Sequence, residues 1–171
     1  MADPLRVTTA DLLRRPGTER TVEVTTSVAE LGIADERFEP DASVDVRLRL
    51  ESLTDGIVVT GTVHAPWHGI CRRCAVATGG TVDSDVHELY QETITDPDAF
   101  ELVGDQLDLR PMMAELLVLD APSSPLCRPD CQGLCPVCGI DRNTARCDCD
   151  TTVADDRWSA LDQLKDRLGE T

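Results

Sequence analysis

Eight cysteines constrain this chain more than any other residue type, because they fall at metal-ligand spacings. One pair is Cys71-Arg72-Arg73-Cys74, and the rest form Cys127-x3-Cys131-x3-Cys135-x2-Cys138-x8-Cys147-x-Cys149. Zinc takes four soft ligands in a tetrahedron, and two cysteines separated by two residues supply one edge of it. Cys135-Pro136-Val137-Cys138-Gly139 reads as such a knuckle, with Gly139 allowing a tight turn that aims backbone N–H groups at the sulfurs. Cys147 and Cys149 can supply the opposite edge. The remaining Cys71, Cys74, Cys127 and Cys131 can close a second site that staples the tail to the strands, a kind of site that adds folding energy directly. Two other groupings stay open at this stage: a local site of Cys127, Cys131, Cys135 and Cys138, and a local His64-x3-His68-x2-Cys71-x2-Cys74 set. Four protein ligands leave no open coordination position, so each site is expected to be structural, holding two Zn2+ in all.

The cysteines are read as ligands, not disulfides, because nothing in the sequence points to export. Met1–Arg15 carries Asp3, Arg6, Asp11, Arg14 and Arg15 and reads as no secretory signal. No apolar run reaches the roughly 18 residues of a membrane span. A reducing cytoplasm is the expected compartment. The formal net charge is −16, and Thr81–Asp108 holds nine acids with no Lys or Arg. Five aromatics, Phe38, Trp67, Tyr90, Phe100 and Trp158, are too few for a sheet face of base-stacking rings.

The patterning predicts an α+β protein: a curved, mostly antiparallel sheet with flanking helices and a C-terminal zinc-knuckle segment. Residues 1–125 are expected to form the α+β domain, including the Cys71/Cys74 knuckle, residues 126–150 the Cys-rich segment, and residues 151–171 an amphipathic helix. Leu5–Val7 and Thr21–Val28 read as strands, and Thr8 or Thr9 as the cap of a helix reaching Arg15. Val44–Leu50 alternates strictly and, across the Thr54-Asp55-Gly56 turn, meets a returning strand Ile57–His64. Val82–Ile94 is a further strand, and Pro111 suits the first turn of a helix ending near Leu119. Asp155 or Asp156 can cap a last helix whose Trp158, Leu161, Leu164 and Leu168 recur at helical spacing.

Catalytic signatures are not found. The sequence has no GxxxxGK or GxGxxG phosphate loop and no GxSxG elbow. His87, among acids, reads as a surface histidine. Cys71-x-x-Cys74 resembles a redox dithiol in spacing, but it lacks the surrounding βαβ pattern that lowers a thiol pKa at a helix N-terminus.

Several segments taken together resemble the YceD family of large ribosomal RNA subunit accumulation proteins. They are Val46–Val63, Cys71-Arg-Arg-Cys74, Glu88–Glu92, Leu107–Pro111, Leu126–Gly139 and Asp156–Leu161; the Cys-Arg-Pro-Asp-Cys…Cys-Pro-Val-Cys-Gly tail resembles the actinobacterial version. The resemblance implies a non-enzymatic cytoplasmic factor for large-subunit biogenesis that supports rRNA accumulation or processing. Its partner would be precursor rRNA or a basic large-subunit ribosomal protein, with bL32, whose gene often neighbours that of the family, as one candidate. No membrane or small-molecule substrate is expected. Arg72, Arg73 and Arg128 are the expected RNA contacts, although they equally balance thiolate charge. Asp83, Asp85, Glu88 and Glu92 are the expected contacts for a basic protein, which the net charge favours. The alternative class is a thiol redox or zinc-responsive protein using Cys71 and Cys74.

Overall fold

The computed structural model describes residues 3–151. Its elements run β1 (Arg6–Thr8), α1 (Ala10–Leu13), β2 (Glu19–Ser27), α2 (Val28–Leu31), β3 (Ser43–Ser52), β4 (Ile57–Ile70), β5 (Ala77–Gln91), β6 (Phe100–Glu101), β7 (Gln106–Asp108) and α3 (Arg110–Asp120). The described backbone divides into two compact units: residues 3–71 with Val76–Cys127, and Arg72–Ala75 with residues 128–151.

The first unit is an α+β fold built on a five-stranded sheet of order β2-β3-β4-β5-β6, antiparallel except where β6 meets β5 in parallel. A separate two-stranded ribbon joins β1 to β7. Strict alternation in β3 sends Val44, Val46, Leu48 and Leu50 inward and leaves Asp45, Arg47 and Arg49 exposed. Val59, Val63 and Ala65 of β4 and Val82, Val86 and Tyr90 of β5 extend that apolar face. Helix α3 belongs to the same core through Met112, Met113 and Leu117, each fully buried.

Local chemistry explains the boundaries. Pro111 sits in the first turn of α3, where a missing N–H costs nothing. The end of α3 is held from outside: Arg37 donates to the Ala121 carbonyl at 2.6 Å and to the Val118 carbonyl at 2.9 Å, and pairs with Asp35 at 2.6 Å. Gly61, at φ +141°, lies where a Cβ would come 2.1 Å from the Arg47 carbonyl oxygen, so only glycine fits there.

Three expectations need correcting. Thr9 precedes α1, but its hydroxyl caps nothing and is buried without a hydrogen-bond partner, and the helix stops at Leu13, short of Arg15. Residues 28–31 leave the strand for a helical turn, because Ser27 and Glu30 form a reciprocal capping box and Gly32 closes the turn at φ +74°. The hairpin's second strand, expected to end at His64, runs on through Pro66 to Ile70. That proline is tolerated because β3 ends its pairing with β4 at His64, which frees the side where its N–H would have been needed. The expected helix over 151–171 lies outside the described residues. No helix among the described residues is long and apolar enough to cross a membrane.

Candidate metal centre

Two knuckles of the same construction carry half the cysteines. At Cys71-x-x-Cys74 the Cys71 N–H donates to the Val76 carbonyl at 2.8 Å; at Cys135-x-x-Cys138 the Cys135 N–H donates to the Ile140 carbonyl at 2.8 Å. Each turn passes through the left-handed region just after its second cysteine, at Ala75 (φ +59°) and Gly139 (φ +74°). The second knuckle is closed further by the Gly139 N–H on the Cys135 carbonyl at 2.9 Å and by an antiparallel bridge between Leu134 and Asp141.

The sulfurs gather into two sets of four. Those of Cys71, Cys74, Cys127 and Cys131 lie within 4.8 Å of one another, as do those of Cys135, Cys138, Cys147 and Cys149. A tetrahedral ion holding thiolates at about 2.3 Å separates them by about 3.8 Å, so either set could hold a metal ion. Neither the local Cys127-to-Cys138 set nor the His64/His68 set is what the fold brings together. His64 Nδ1 is 2.6 Å from Asp83 Oδ1, and His68 Nε2 is 3.0 Å from Glu39 Oε1.

Electrostatics in the second set follows from crowding four sulfurs. Backbone N–H groups of Cys138 and Val137 donate to the Cys135 sulfur and lower its pKa to about 6. Cys149 is pushed up to about 12, first by its hydrogen bond to Cys138, then by burial and by Cys147. Part of the set is ready to ionise while the rest resists adding charge, a conflict that a bound cation removes.

A supporting layer surrounds the ligands. Asn143 donates to the Cys131 sulfur at 3.5 Å and to Asp141 Oδ1 at 2.7 Å, while its carbonyl oxygen accepts from the Gln132 N–H at 2.9 Å and from Arg128 at 2.7 Å. Arg142 reaches the Cys135 sulfur at 3.9 Å. Sequence reasoning missed Asn143, since no spacing rule flags an asparagine that donates to sulfur from outside the ligand set. Arg73 donates to the Cys131 carbonyl at 2.8 Å, and its own carbonyl accepts from the Leu134 N–H at 2.9 Å. All three arginines expected to meet RNA are exposed, although Arg73 bonds the Cys131 carbonyl and Arg128 bonds Asn143.

The four expected acidic contacts do not share one surface. Asp83 and Asp85 project from the sheet face opposite the core. Glu88 projects on the core side and is half-buried; burial and the nearby Glu115 raise its carboxyl pKa. Glu92 is exposed beyond the end of β5. Cys71 and Cys74 are buried, unlike the accessible thiols of dithiol exchange.

Comparison with known proteins matches residues 59–165 to a family described as Large ribosomal RNA subunit accumulation protein YceD. An uncharacterized protein of Mycobacterium tuberculosis is 37% identical over 148 residues, covering 82% of this chain and 72% of that protein. An uncharacterized protein of Mycobacterium leprae is 33% identical over 134 residues, covering 74% of this chain and 62% of that protein. A chloroplastic protein of Arabidopsis thaliana, named large ribosomal RNA subunit accumulation protein YCED homolog 1, is 22% identical over 164 residues, covering 74% of this chain and 48% of that protein. No solved structure gives a significant match.

Proposed function

Because the chain belongs to the YceD family of large ribosomal RNA subunit accumulation proteins, we propose that it is a non-enzymatic cytoplasmic factor for large-subunit biogenesis. The observation that carries this reading is the extent of the family match, which runs through β4, β5 and α3 and takes in all eight cysteines. In this reading both four-cysteine sets hold structural zinc, for which four thiolates are a fitting donor set. Zinc so held supplies fixed geometry and folding energy, not chemistry. The residues that would hold it are Cys71, Cys74, Cys127 and Cys131 in one set and Cys135, Cys138, Cys147 and Cys149 in the other.

The action is recruitment or protection during assembly, with precursor rRNA or a basic large-subunit ribosomal protein as the partner and bL32 among the candidates. A formal charge of −16 repels phosphate and attracts cationic protein, which favours the protein partner.

Depleting the protein and measuring large- against small-subunit rRNA tests the reading. A selective fall in large-subunit rRNA is expected. An unchanged ratio would overturn it and move thiol redox or zinc response to the front.

A further inference from the structure

Strand β5 spans fifteen residues, yet on its outer side it pairs, among the described residues, only at Tyr90 and Gln91, with β6. The direction of its free groups follows from the register. Cys71 N–H bonds the Val76 carbonyl, and the β4–β5 pairing continues that register, so the even-numbered residues of β5 exchange their hydrogen bonds with β4. The odd-numbered residues then point N–H and C=O outward. Gln91 confirms the phase, since its carbonyl accepts from Leu102 N–H at 2.8 Å on the β6 side. Thr81, Asp83 and Asp85 therefore present an open row of backbone donors and acceptors, the template to which an added strand pairs.

The side chains along that row select the occupant. An open cleft follows the edge, lined by Trp67, Thr81, Asp83, Asp85 and Asp120. Trp67 reaches it because its register partner is Gly80, where a Cβ would stand 3.3 Å from the indole nitrogen. Asp83 and Asp85 project from the exposed face of this edge, where Asp83 also meets His64 Nδ1 at 2.6 Å, and carboxylates alternating along a strand suit the cationic side chains of a strand laid beside it. Between Thr81 and Asp108 there is no Lys or Arg, and the imidazole of His64 on β4 is the group that meets Asp83. A second copy of this chain is the wrong occupant, because pairing two β5 edges would set Asp83 and Asp85 against like charges.

We propose that the outer edge of β5, around Thr81–Asp85, takes up an extended Lys/Arg-rich protein segment as an added strand, with cations of that segment beside the Asp83 and Asp85 carboxylates. The proposal rests on the reading of the chain as an assembly factor and names the form its basic partner takes.

The test uses the whole zinc-loaded protein and a peptide of four alternating Val-Arg repeats, followed by amide hydrogen exchange. The peptide is expected to slow exchange selectively at the odd-numbered amides Thr81, Asp83 and Asp85, and to bind less tightly as salt rises. Thr81→Pro removes one outward N–H while sparing the bonds to β4, and should weaken binding about fivefold or more with an unchanged melting temperature. Asp83→Asn with Asp85→Asn should weaken binding and flatten its salt dependence. Protection of no odd-numbered amide, or Thr81→Pro binding as the parent does, would overturn strand addition. So would protection of these amides by an RNA of the same length and not by the peptide. Should Thr81→Pro fail to fold, the exchange pattern of the parent decides. An unchanged rRNA ratio on depletion combined with protected odd-numbered amides would sink the assembly reading and leave the edge site standing; a fallen ratio with no protection would do the reverse.

Discussion

Ala75 follows Cys74 at φ +59°, the same backbone state that Gly139 adopts after Cys138 at φ +74°. An L-residue pays about 1–2 kcal/mol there, whereas glycine loses about 0.4–1 kcal/mol through its freer unfolded chain. Ala75→Gly should therefore stabilise the metal-loaded protein by about 0.5–1 kcal/mol, seen as a rise of a few degrees in a thermal melt. The reciprocal Gly139→Ala meets nothing within 4 Å, so its cost is conformational alone, about 1 kcal/mol. Asn143 offers a different test. It holds the Cys131 sulfur and the Gln132 backbone with one amide. Asn143→Ala should lower metal affinity by about 10–100-fold, the usual effect of losing a group that orients a ligand, measured as faster transfer of zinc to a chelator. Transfer at the parent's rate would show that Asn143 only decorates the turn.

At the scale of elements, α3 is anchored less by its own sequence than by Arg37, which lies 84 and 81 residues before the two carbonyls it holds. Its guanidinium occupies two carbonyls at the helix end while paired to Asp35. Arg37→Met keeps the stem but orphans both carbonyls and should cost about 1–3 kcal/mol by chemical denaturation. The same pair gives a pH dependence. Hydrogen bonds from Arg37 lower the Asp35 pKa to about 2 from an ordinary 3.8. A depressed carboxyl contributes stability that is complete above the ordinary value and is lost as pH falls through the folded one. Stability should thus decline between pH about 4 and about 2, with a shallower decline in Arg37→Met. Such contacts mark the limit of what patterning reveals. The alternation of β3 and the placement of Pro111 are local signals and were readable. The partners of Arg37, the buried Thr9 hydroxyl and the continuation of β4 through Pro66 depend on which strand ends where, information that no local window contains. The capping box at Ser27 and Glu30 is the exception: its S-x-x-E spacing was in the sequence but was masked by the Thr/Val run before it.

For the whole molecule, the partition of the cysteines predicts a metal stoichiometry, and paired substitutions test it. The spacing narrowed the ligands to eight residues but left their grouping open, because Cys127 and Cys131 stand nearer to Cys135 in sequence than Cys147 does. The sulfur positions resolve the grouping into one set of Cys71, Cys74, Cys127 and Cys131 and another of Cys135, Cys138, Cys147 and Cys149. If each set holds one zinc, native mass spectrometry of the parent should show two ions, and a single Cys→Ser change in either set should remove one. Cys149→Ser alone separates the grouping in which His64 and His68 complete the Cys71/Cys74 site, since both ions would then stay; it does not separate a grouping that joins Cys147 and Cys149 to Cys71 and Cys74. Cys135→Ser combined with Cys149→Ser does. Both residues belong to one set here, so the double variant should keep one zinc. A local set running from Cys127 to Cys138, with Cys147 and Cys149 joined to Cys71 and Cys74, would place the two changes in different sites and leave none. Cys74→Ser with Cys131→Ser is the matching control and should also keep one. A protein that binds no zinc and instead cycles Cys71 and Cys74 between dithiol and disulfide would refute the structural assignment, whereas one retained ion in both double variants would tie the geometry of the thiolates to the metal content of the folded chain.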